Sequence, residues 1–532
     1  MSKNDNPVIL GFAALLTLGL MGGGLWVFNK FTPDFLNNGD GNNSLSLPTG
    51  EQESGKQNAQ STRKLEQGEV TLLGDTFSGY STFRDTTFQQ TLADAGINLT
   101  YDNEFDQAKR AAAIAQGDAD LYVTTLDQFV KQQPNGKIVG LIDRTIGADA
   151  VVLNTKKYPS LKSLNDLKEL QAKEPLSISY AVDTPSEYLA LVLSTSFENF
   201  NLSDFEAKEV VDASEAWADL QDPNQNVAIA VLWEPFVTQA KKQGYTVVLS
   251  SKDAPTAILD VIVASDQLLE ARPDLVSEFL ESYYRHIDVN TRDPSKLKNQ
   301  IAADGDLSTD EASAVLAGID FFTSIEAQNW IKDGTLEKRI NATAAVLTLS
   351  GELNQVPKNA TNLYTDAYIS EAAQNTQTLI ELIDLDNPEL AKRLRGEGET
   401  IAVTPTVTEK EISEAPDIGN LQVRGEVQFG SGSANLDQAS QQTLQQLVGQ
   451  ISEFNPSTVA IRVIGHTSKT GSSQVNQQLS QQRAQVVVDA LRNQGLQHNI
   501  QAEGKGFNLP LSQISPEDPR QQRTEIRLVR LD

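Results

Sequence analysis

Gly465-His466-Thr467-Ser468-Lys469-Thr470-Gly471, followed by Asn476 and then Leu479-Ser480-Gln481-Gln482-Arg483-Ala484, closes one regular element and opens another. Leu479, Val486, Val487, Ala490 and Leu491 recur at spacings of three, four and seven, which predicts a helix running to about Asn493 with one apolar stripe. Arg483 lies four residues from both Leu479 and Val487, so its guanidinium projects from that stripe. A buried unpaired charge costs roughly several kcal/mol, so Arg483 needs either an internal carboxylate such as Glu503 or Glu525, or a bound anionic group. Upstream, Thr458 to Ile464 alternates like a half-buried strand and Gly465 ends it. Leu421 to Phe429 and Thr524 to Leu531 alternate too, and Gln442 to Phe454 is an amphipathic helix with Leu444, Leu447 and Ile451 inside. Strand, helix, strand, helix, strand from about Asn420 to Asp532 defines a compact α/β unit.

This segment resembles the OmpA-like C-terminal peptidoglycan-binding domain. Gly465, His466, Thr467, Gly471, Asn476, Leu479, Ser480, Arg483 and Ala484 match its pattern, as do the Gly504-Lys505-Gly506 turn and Arg523-Thr524-Glu525-Ile526. The resemblance implies a peptidoglycan site at Thr467, Ser468, Asn476, Arg483 and Arg523, in which Arg483 holds a charged end group of the peptide stem. The family places an aspartate where this chain has Ser468. A serine exchanges hydrogen bonds but cannot neutralise the stem's ammonium, so binding is weakened, redirected to another stem chemistry, or replaced by a docking role.

The whole chain has 532 residues with 43 basic against 71 acidic side chains, a net charge of -28 and no cysteine. The length allows two or three domains. The negative balance argues against a nucleic-acid partner, whose phosphates it would repel. Without cysteine there is no disulfide, thiol nucleophile, thiolate metal site or lipidated amino terminus. With His286, His466 and His498 as the only histidines, neither a histidine metal centre nor a catalytic triad is expected, and no cofactor is implied.

Val8 to Phe28 carries no charge, and as a helix would span about 31 Å, matching a hydrocarbon core of roughly 30 Å. No Ala-x-Ala site follows it, which favours an uncleaved anchor over a removed signal peptide. The charges flanking it encode orientation weakly, and the wall-binding resemblance sets it: one pass of the inner membrane, with the bulk of the chain in the periplasm. The span holds no carboxylate of the kind a motor stator needs. From Phe31 to Gln67 the composition is that of a flexible polar linker.

Between Glu69 and about Leu385 short apolar strands alternate with helices, the pattern of largely parallel sheets whose ligands bind at strand carboxyl ends. Five loops stand at such ends, and they supply Asp75, Phe77, Ser78, Tyr80, Thr124, Thr125, Asp183, Thr184, Ser186, Tyr188, Trp233 and Glu234 as candidate ligand contacts. They are aromatic, hydroxylic or acidic, and none is basic. Gly117-Asp118-Ala119-Asp120, Gly147-Ala148-Asp149-Ala150-Val151-Val152, Leu161 to Lys168, and Val231-Leu232-Trp233-Glu234-Pro235-Phe236 with Gly244-Tyr245 resemble the periplasmic solute-binding proteins of the nitrate, sulfonate, taurine and thiamine-precursor group. That resemblance implies two α/β lobes, the first from 68–158 plus 255–350 and the second from 159–254, closing on a small-molecule solute, with an ABC permease as a further partner.

The expected organisation is a transmembrane signal anchor over 1–30, a flexible linker over 31–67, a two-lobed solute-binding-like domain over 68–395, a second linker over 396–418 and the OmpA-like domain over 419–532. Two functions follow: a membrane-anchored, wall-tethered solute receptor, or an envelope tether whose middle domain is a sensor or interaction module. An enzyme is not expected, because no positioned nucleophile and base is found.

Overall fold

The computed structural model describes residues 68–397, 407–423, 427, 429 and 432–531. The expected anchor over 1–30 and linker over 31–67 lie outside these residues, and among the described residues no helix is long and apolar enough to cross a membrane.

The first sheet has six strands: β1 (Glu69–Gly74), β2 (Asn98–Asn103), β3 (Leu121–Thr125), β4 (Gly136–Thr145), β10 (Leu259–Ser265) and β11 (Ile319–Phe321), in the order β11-β4-β10-β3-β1-β2. The second has five: β5 (Asp149–Leu153), β6 (Ser177–Ala181), β7 (Glu206–Val210), β8 (Val227–Trp233) and β9 (Thr246–Ser250), ordered β7-β6-β8-β5-β9. These sheets are mixed, not largely parallel. β1 runs parallel to β2 and β3, and β6 to β7 and β8, but β10 and β5 oppose their neighbours. The reason is topological. The chain crosses between sheets twice, and β5 and β10 are the first strands after each crossing, so both enter their sheet from the end at which the strands they pair with finish; β11 likewise opposes β4. The first crossing lies at 146–148, earlier than the expected boundary at 158, because Asp149-Ala150-Val151-Val152-Leu153 pairs with β8 in the second sheet.

The helices that matter below are α1 (Leu126–Gln132), α2 (Pro185–Ser196), α3 (Pro273–Arg292), α4 (Thr335–Ser350), α5 (Glu409–Glu414), α6 (Gln438–Ile451) and α7 (Ser473–Asn493). Most start where the sequence offers a cap: Thr184 accepts the Ser186 N–H before α2, and Ser472 the Val475 N–H before α7. α3 buries Phe279, Leu280, Tyr283 and Tyr284, and Phe83 stacks on both Phe279 and Tyr283.

The third sheet, β12 (Asp417–Asn420), β13 (Val459–Gly465), β14 (Ile500–Gly504) and β15 (Thr524–Arg530), runs in the order β12-β15-β13-β14. One face carries Val459, Ile461, Val463, Ile526 and Leu528 into a core shared with α6 and α7. The expected linker over 396–418 is partly regular structure. Thr408 and Glu411 form a reciprocal capping box that starts α5, and Ile412 is buried against Ala460 and Val529. Of the expected strand Leu421 to Phe429, residues 424–426 and 428 lie outside the described residues; the Leu421 N–H donates to the Ile526 carbonyl at 2.8 Å, Leu421 also bridges to Phe197, and Phe429 bridges to Leu436.

This third sheet does not hang free. Its core is continuous with that of the second sheet. Phe197 meets Phe454 edge-on at 6.0 Å, the Asn420 N–H donates to Asn165 Oδ1 at 2.9 Å, and the Asn455 N–H donates to the Asp253 carbonyl at 2.8 Å. Arg530 donates to the Val247 carbonyl at 2.6 Å. Arg339 of α4, from the first lobe, forks onto Glu453 and donates to Thr256 Oγ1 at 2.9 Å.

Candidate functional site

Because β1, β3 and β4 finish at the end where β10 begins, the loop Asp75–Tyr80, Thr124, Thr125, Asp143 and Asp260 gather on one rim of the first lobe. Asp75 shapes the loop: its Oδ1 accepts the Phe77 N–H at 2.8 Å, and its Oδ2 takes Nη2 of the fully buried Arg110 at 2.6 Å. Arg110 also donates to the Val123 carbonyl at 2.8 Å, so it ties the ends of β1 and β3 together. Ser78 and Gly79 form a turn before Tyr80, whose ring meets Phe77 edge-on at 5.2 Å and whose hydroxyl donates to Asp260. The Thr124 hydroxyl is turned to Gln107 at 2.8 Å, and Thr125 precedes α1.

The second lobe presents Asp183, Thr184, Trp233 and Glu234 at its own strand ends. Trp233 is paired in register with Asp149, and the Glu234 N–H donates to the Ala148 carbonyl at 3.0 Å. Glu234 accepts from the Thr238 N–H and hydroxyl at 3.1 and 2.9 Å. Lys131 of α1 spans the lobes, 3.1 Å from Asp183, 3.9 Å from Glu187 and 3.0 Å from Glu352. Ser186 and Tyr188 do not join this group. Ser186 is fully buried in α2, and the Tyr188 hydroxyl donates to Thr343 of α4 at 3.3 Å, lining a separate cavity of about 520 Å³ between α2, α4 and α6.

Sequence reading missed the buried carboxyls behind the rim. Burial, then the neighbouring Asp260, pushes Asp143 well above the carboxylate range, and burial does the same to Asp260. Burial raises Asp127 to about 6, and burial with the Glu234 charge raises Asp149 to about 7. The available signal was an acid inside an apolar run, as in Leu259-Asp260-Val261-Ile262-Val263 and Leu141-Ile142-Asp143.

In the third sheet's unit, Asn476, Ser480 and Arg483 fall on the buried face of α7. Arg483 Nε donates to the Ser433 carbonyl at 3.0 Å and Nη1 to Gln522 Oε1 at 3.1 Å, with the guanidinium 5.1 Å from the Phe429 ring centroid. Burial lowers its pKa. Neither suggested internal acid is shown with it: Glu503 pairs with Lys505, and Glu525 with Arg523 and Arg527. Asn476 donates to the Thr470 and Ser472 carbonyls at 2.7 and 3.0 Å, so it holds the 465–472 loop. Ser468 Oγ is 3.3 Å from Thr470 Oγ1, and the Thr467 hydroxyl is buried with no hydrogen-bond partner among the described residues. A Cβ at Gly504 would lie 2.5 Å from the Gln481 nitrogen, which explains a glycine where β14 abuts α7. Arg523 turns to the sheet's other face, into a charged groove of about 410 Å³. There Glu525, pushed up by burial but held down more strongly by His466, Arg523 and Arg527, lies at about 2.

Two kinds of α/β module are therefore present: a pair of lobes, and a smaller unit with a buried guanidinium beside a polar loop. Residues 92–296 match the family model described as NMT1/THI5 like, and residues 428–524 match the OmpA family model. The chain thus carries one segment similar to the NMT1/THI5-like family and a C-terminal segment similar to the OmpA family. It is 40% identical over 91 residues to Outer membrane protein A of Shimwellia blattae, a match covering 17% of this chain and 38% of that protein. With the Shigella flexneri Outer membrane protein A it is 32% identical over 118 residues, 22% of this chain and 33% of the relative. The chain thus spans well under half of these relatives' length. Among solved structures, the periplasmic aliphatic sulphonate binding protein SsuA from Escherichia coli aligns with TM-score 0.45 at 12% identity, over 56% of this chain and 93% of that one. The periplasmic nitrate-binding protein NrtA from Synechocystis aligns with TM-score 0.40 at 11% identity, over 58% and 89%.

Proposed function

We propose that this chain is an envelope solute receptor of the ABC-import type, anchored in the inner membrane through Val8 to Phe28, facing the periplasm and held to peptidoglycan by its OmpA domain. A permease is its partner in delivery. The observation that carries this reading is the double crossing between two sheets, which opposes two sets of strand-end loops. Asp75, Phe77, Ser78, Tyr80, Thr124, Thr125, Asp183, Thr184, Trp233 and Glu234 line or shape that cleft, with Ser186 and Tyr188 supporting α2. Thr467, Ser468, Asn476 and Arg483 serve the wall, with Arg483 as the anion-holding group and the others as supports, while Arg523, on the sheet's other face, stands apart from them. Both modules bind without chemistry.

Ser468, in the position of the family's acid, supports a second reading: the OmpA domain as a protein-docking module and the lobes as a sensor or scaffold. Co-sedimentation of the full chain with isolated peptidoglycan separates the two. The receptor reading expects retention that Arg483→Ala abolishes. An unsubstituted chain that stays in the supernatant selects the docking reading.

A further inference from the structure

We propose that the OmpA-like unit clamps the hinge between the two lobes, so that opening and closing of the cleft is governed from outside it, at Glu453 and Asn455. The inference rests on the reading of the lobes as a pair that closes on a solute, and names how that site is regulated.

The hinge is the two crossings, 146–148 and 251–258, lying side by side. Fully buried Ser251 joins them: its N–H donates to the Asp149 carbonyl at 2.8 Å, and its hydroxyl accepts the Gly147 and Asp149 N–H groups at 2.8 and 3.3 Å. The second crossing also carries contacts that belong to neither lobe. The Asn455 N–H donates to the Asp253 carbonyl at 2.8 Å, and Asn455 Nδ2 to the Lys252 carbonyl at 3.1 Å. Arg530 Nε stands 3.8 Å from the Asp253 carboxylate. Three residues further on, Thr256 accepts from Arg339, the same guanidinium that forks onto Glu453. Rotation of two lobes is absorbed by the dihedral angles of a few connecting residues, and here those residues are gripped by the OmpA-like unit.

That unit moves with the second lobe. One apolar core runs through both, the Glu198 N–H donates to the Asn420 carbonyl at 3.0 Å, and the Gln422 N–H to the Ser196 carbonyl at 2.8 Å. Arg339, by contrast, moves with the first lobe, because Leu336, Ile340 and Ala344 seat α4 in the first lobe's core. Turning one lobe on the other therefore has to stretch or break the fork between Arg339 and Glu453, and a bidentate guanidinium–carboxylate pair is strongly directional. α2 lies at the same junction, with Tyr188 and Leu191 against the first lobe's core. The cavity of about 520 Å³ bordered by α2, α4, α6, Ala254 and Thr256 leaves these helices room to shift, which close packing would deny. On the cleft side the lobes meet through Lys131 and a half-exposed Asp183, and exposed ion pairs of this kind hold weakly.

The chain has no cysteine, so introduced pairs can be spin-labelled in the full chain without background. Lys296→Cys in the first lobe with Lys241→Cys in the second reports the interlobe distance, and Lys173→Cys with Lys241→Cys reports the second lobe alone; all three positions are exposed. Double electron–electron resonance is expected to give one narrow interlobe distribution when the clamp is intact. Glu453→Lys, which sets like charges at the fork, should widen that distribution about twofold and leave the control pair unchanged. Asn455→Ala, which deletes the hold on the Lys252 carbonyl, should widen it less, and covers the case in which Glu453→Lys does not fold. Exchanging the charges, Arg339→Glu with Glu453→Arg, should restore the narrow distribution. Equal interlobe distributions in the unsubstituted chain and both variants overturn the clamp, as does a distribution already broad before substitution. Equal widening of the control pair also overturns it, because loss of the lobe's own fold then accounts for the change. The measurement uses no solute, so its failure leaves the solute reading standing; that reading fails in a different assay, a screen in which no small molecule shifts the unfolding midpoint.

Discussion

Phe197→Ala removes a ring shared by two modules. Phe197 is 1% exposed at the end of α2, meets Phe454 edge-on, bridges through its backbone to Leu421, and sits where a Cβ on Gly419 would lie 2.9 Å from its Cδ1. Truncating a buried phenylalanine costs about 3–5 kcal/mol, and the aromatic pair contributes about 0.5–1.5 kcal/mol of it. Taking about 4 kcal/mol, and an unfolding entropy of about 2.1 cal/mol/K per residue over a unit of several hundred residues, the midpoint falls by only about 4 °C. Urea unfolding is therefore the better assay, followed by hydrogen exchange at Val231 of β8 and Val463 of β13. The continuous core predicts that both amides lose protection together, by about the same free energy. Loss confined to β8, or a cost below about 1 kcal/mol, would refute the claim that the second lobe and the OmpA domain share one core.

Asp149, raised to about 7 in the folded state, binds more protons folded than unfolded between about pH 4 and 7, so stability should fall as pH rises through that window; Asp149→Asn should flatten the urea-midpoint profile there. His498, held near 4 by burial although its Nε2 donates to the Phe454 carbonyl at 2.8 Å, has the opposite sign: stability present above about pH 6.5 is lost as pH falls toward 4, and NMR of its ring protons should report that midpoint. A double-mutant cycle on Arg339→Ala and Glu453→Gln should give a coupling of about 1 kcal/mol, modest because Glu453 is 38% exposed; a value near zero would remove this contact as a brace between the first lobe and the OmpA domain.

Local spacing made β13, α7 and the strand-end loops legible, because each depends on residues a few positions apart. The face occupied by Arg483 followed from its distance to Leu479 and Val487, and the structure buries it. What spacing did not carry was contact between distant segments. Spacing gave no sign that Arg110 holds the Asp75 carboxylate, and Tyr188 faces α4 because of a helix some 150 positions later. Asp143 and Asp260 were hidden inside apolar runs that read as plain core strands. α5 and β12 were missed in a polar stretch because one buried residue, Ile412, and a capping box suffice to order them.

The placement of β15 has a consequence for how the chain is made. This last strand lies inside its sheet, between β12 and β13, and Arg530 near its end reaches back to Val247. A chain emerging from its amino end exposes Phe197 and its apolar neighbours long before Leu421 and Phe454 exist to cover them. Contacts separated by more than two hundred residues close slowly, and an uncovered apolar face is prone to aggregate meanwhile. The second lobe is thus the part that waits longest for its cover, and stalling synthesis just before β15 should leave it prone to aggregate.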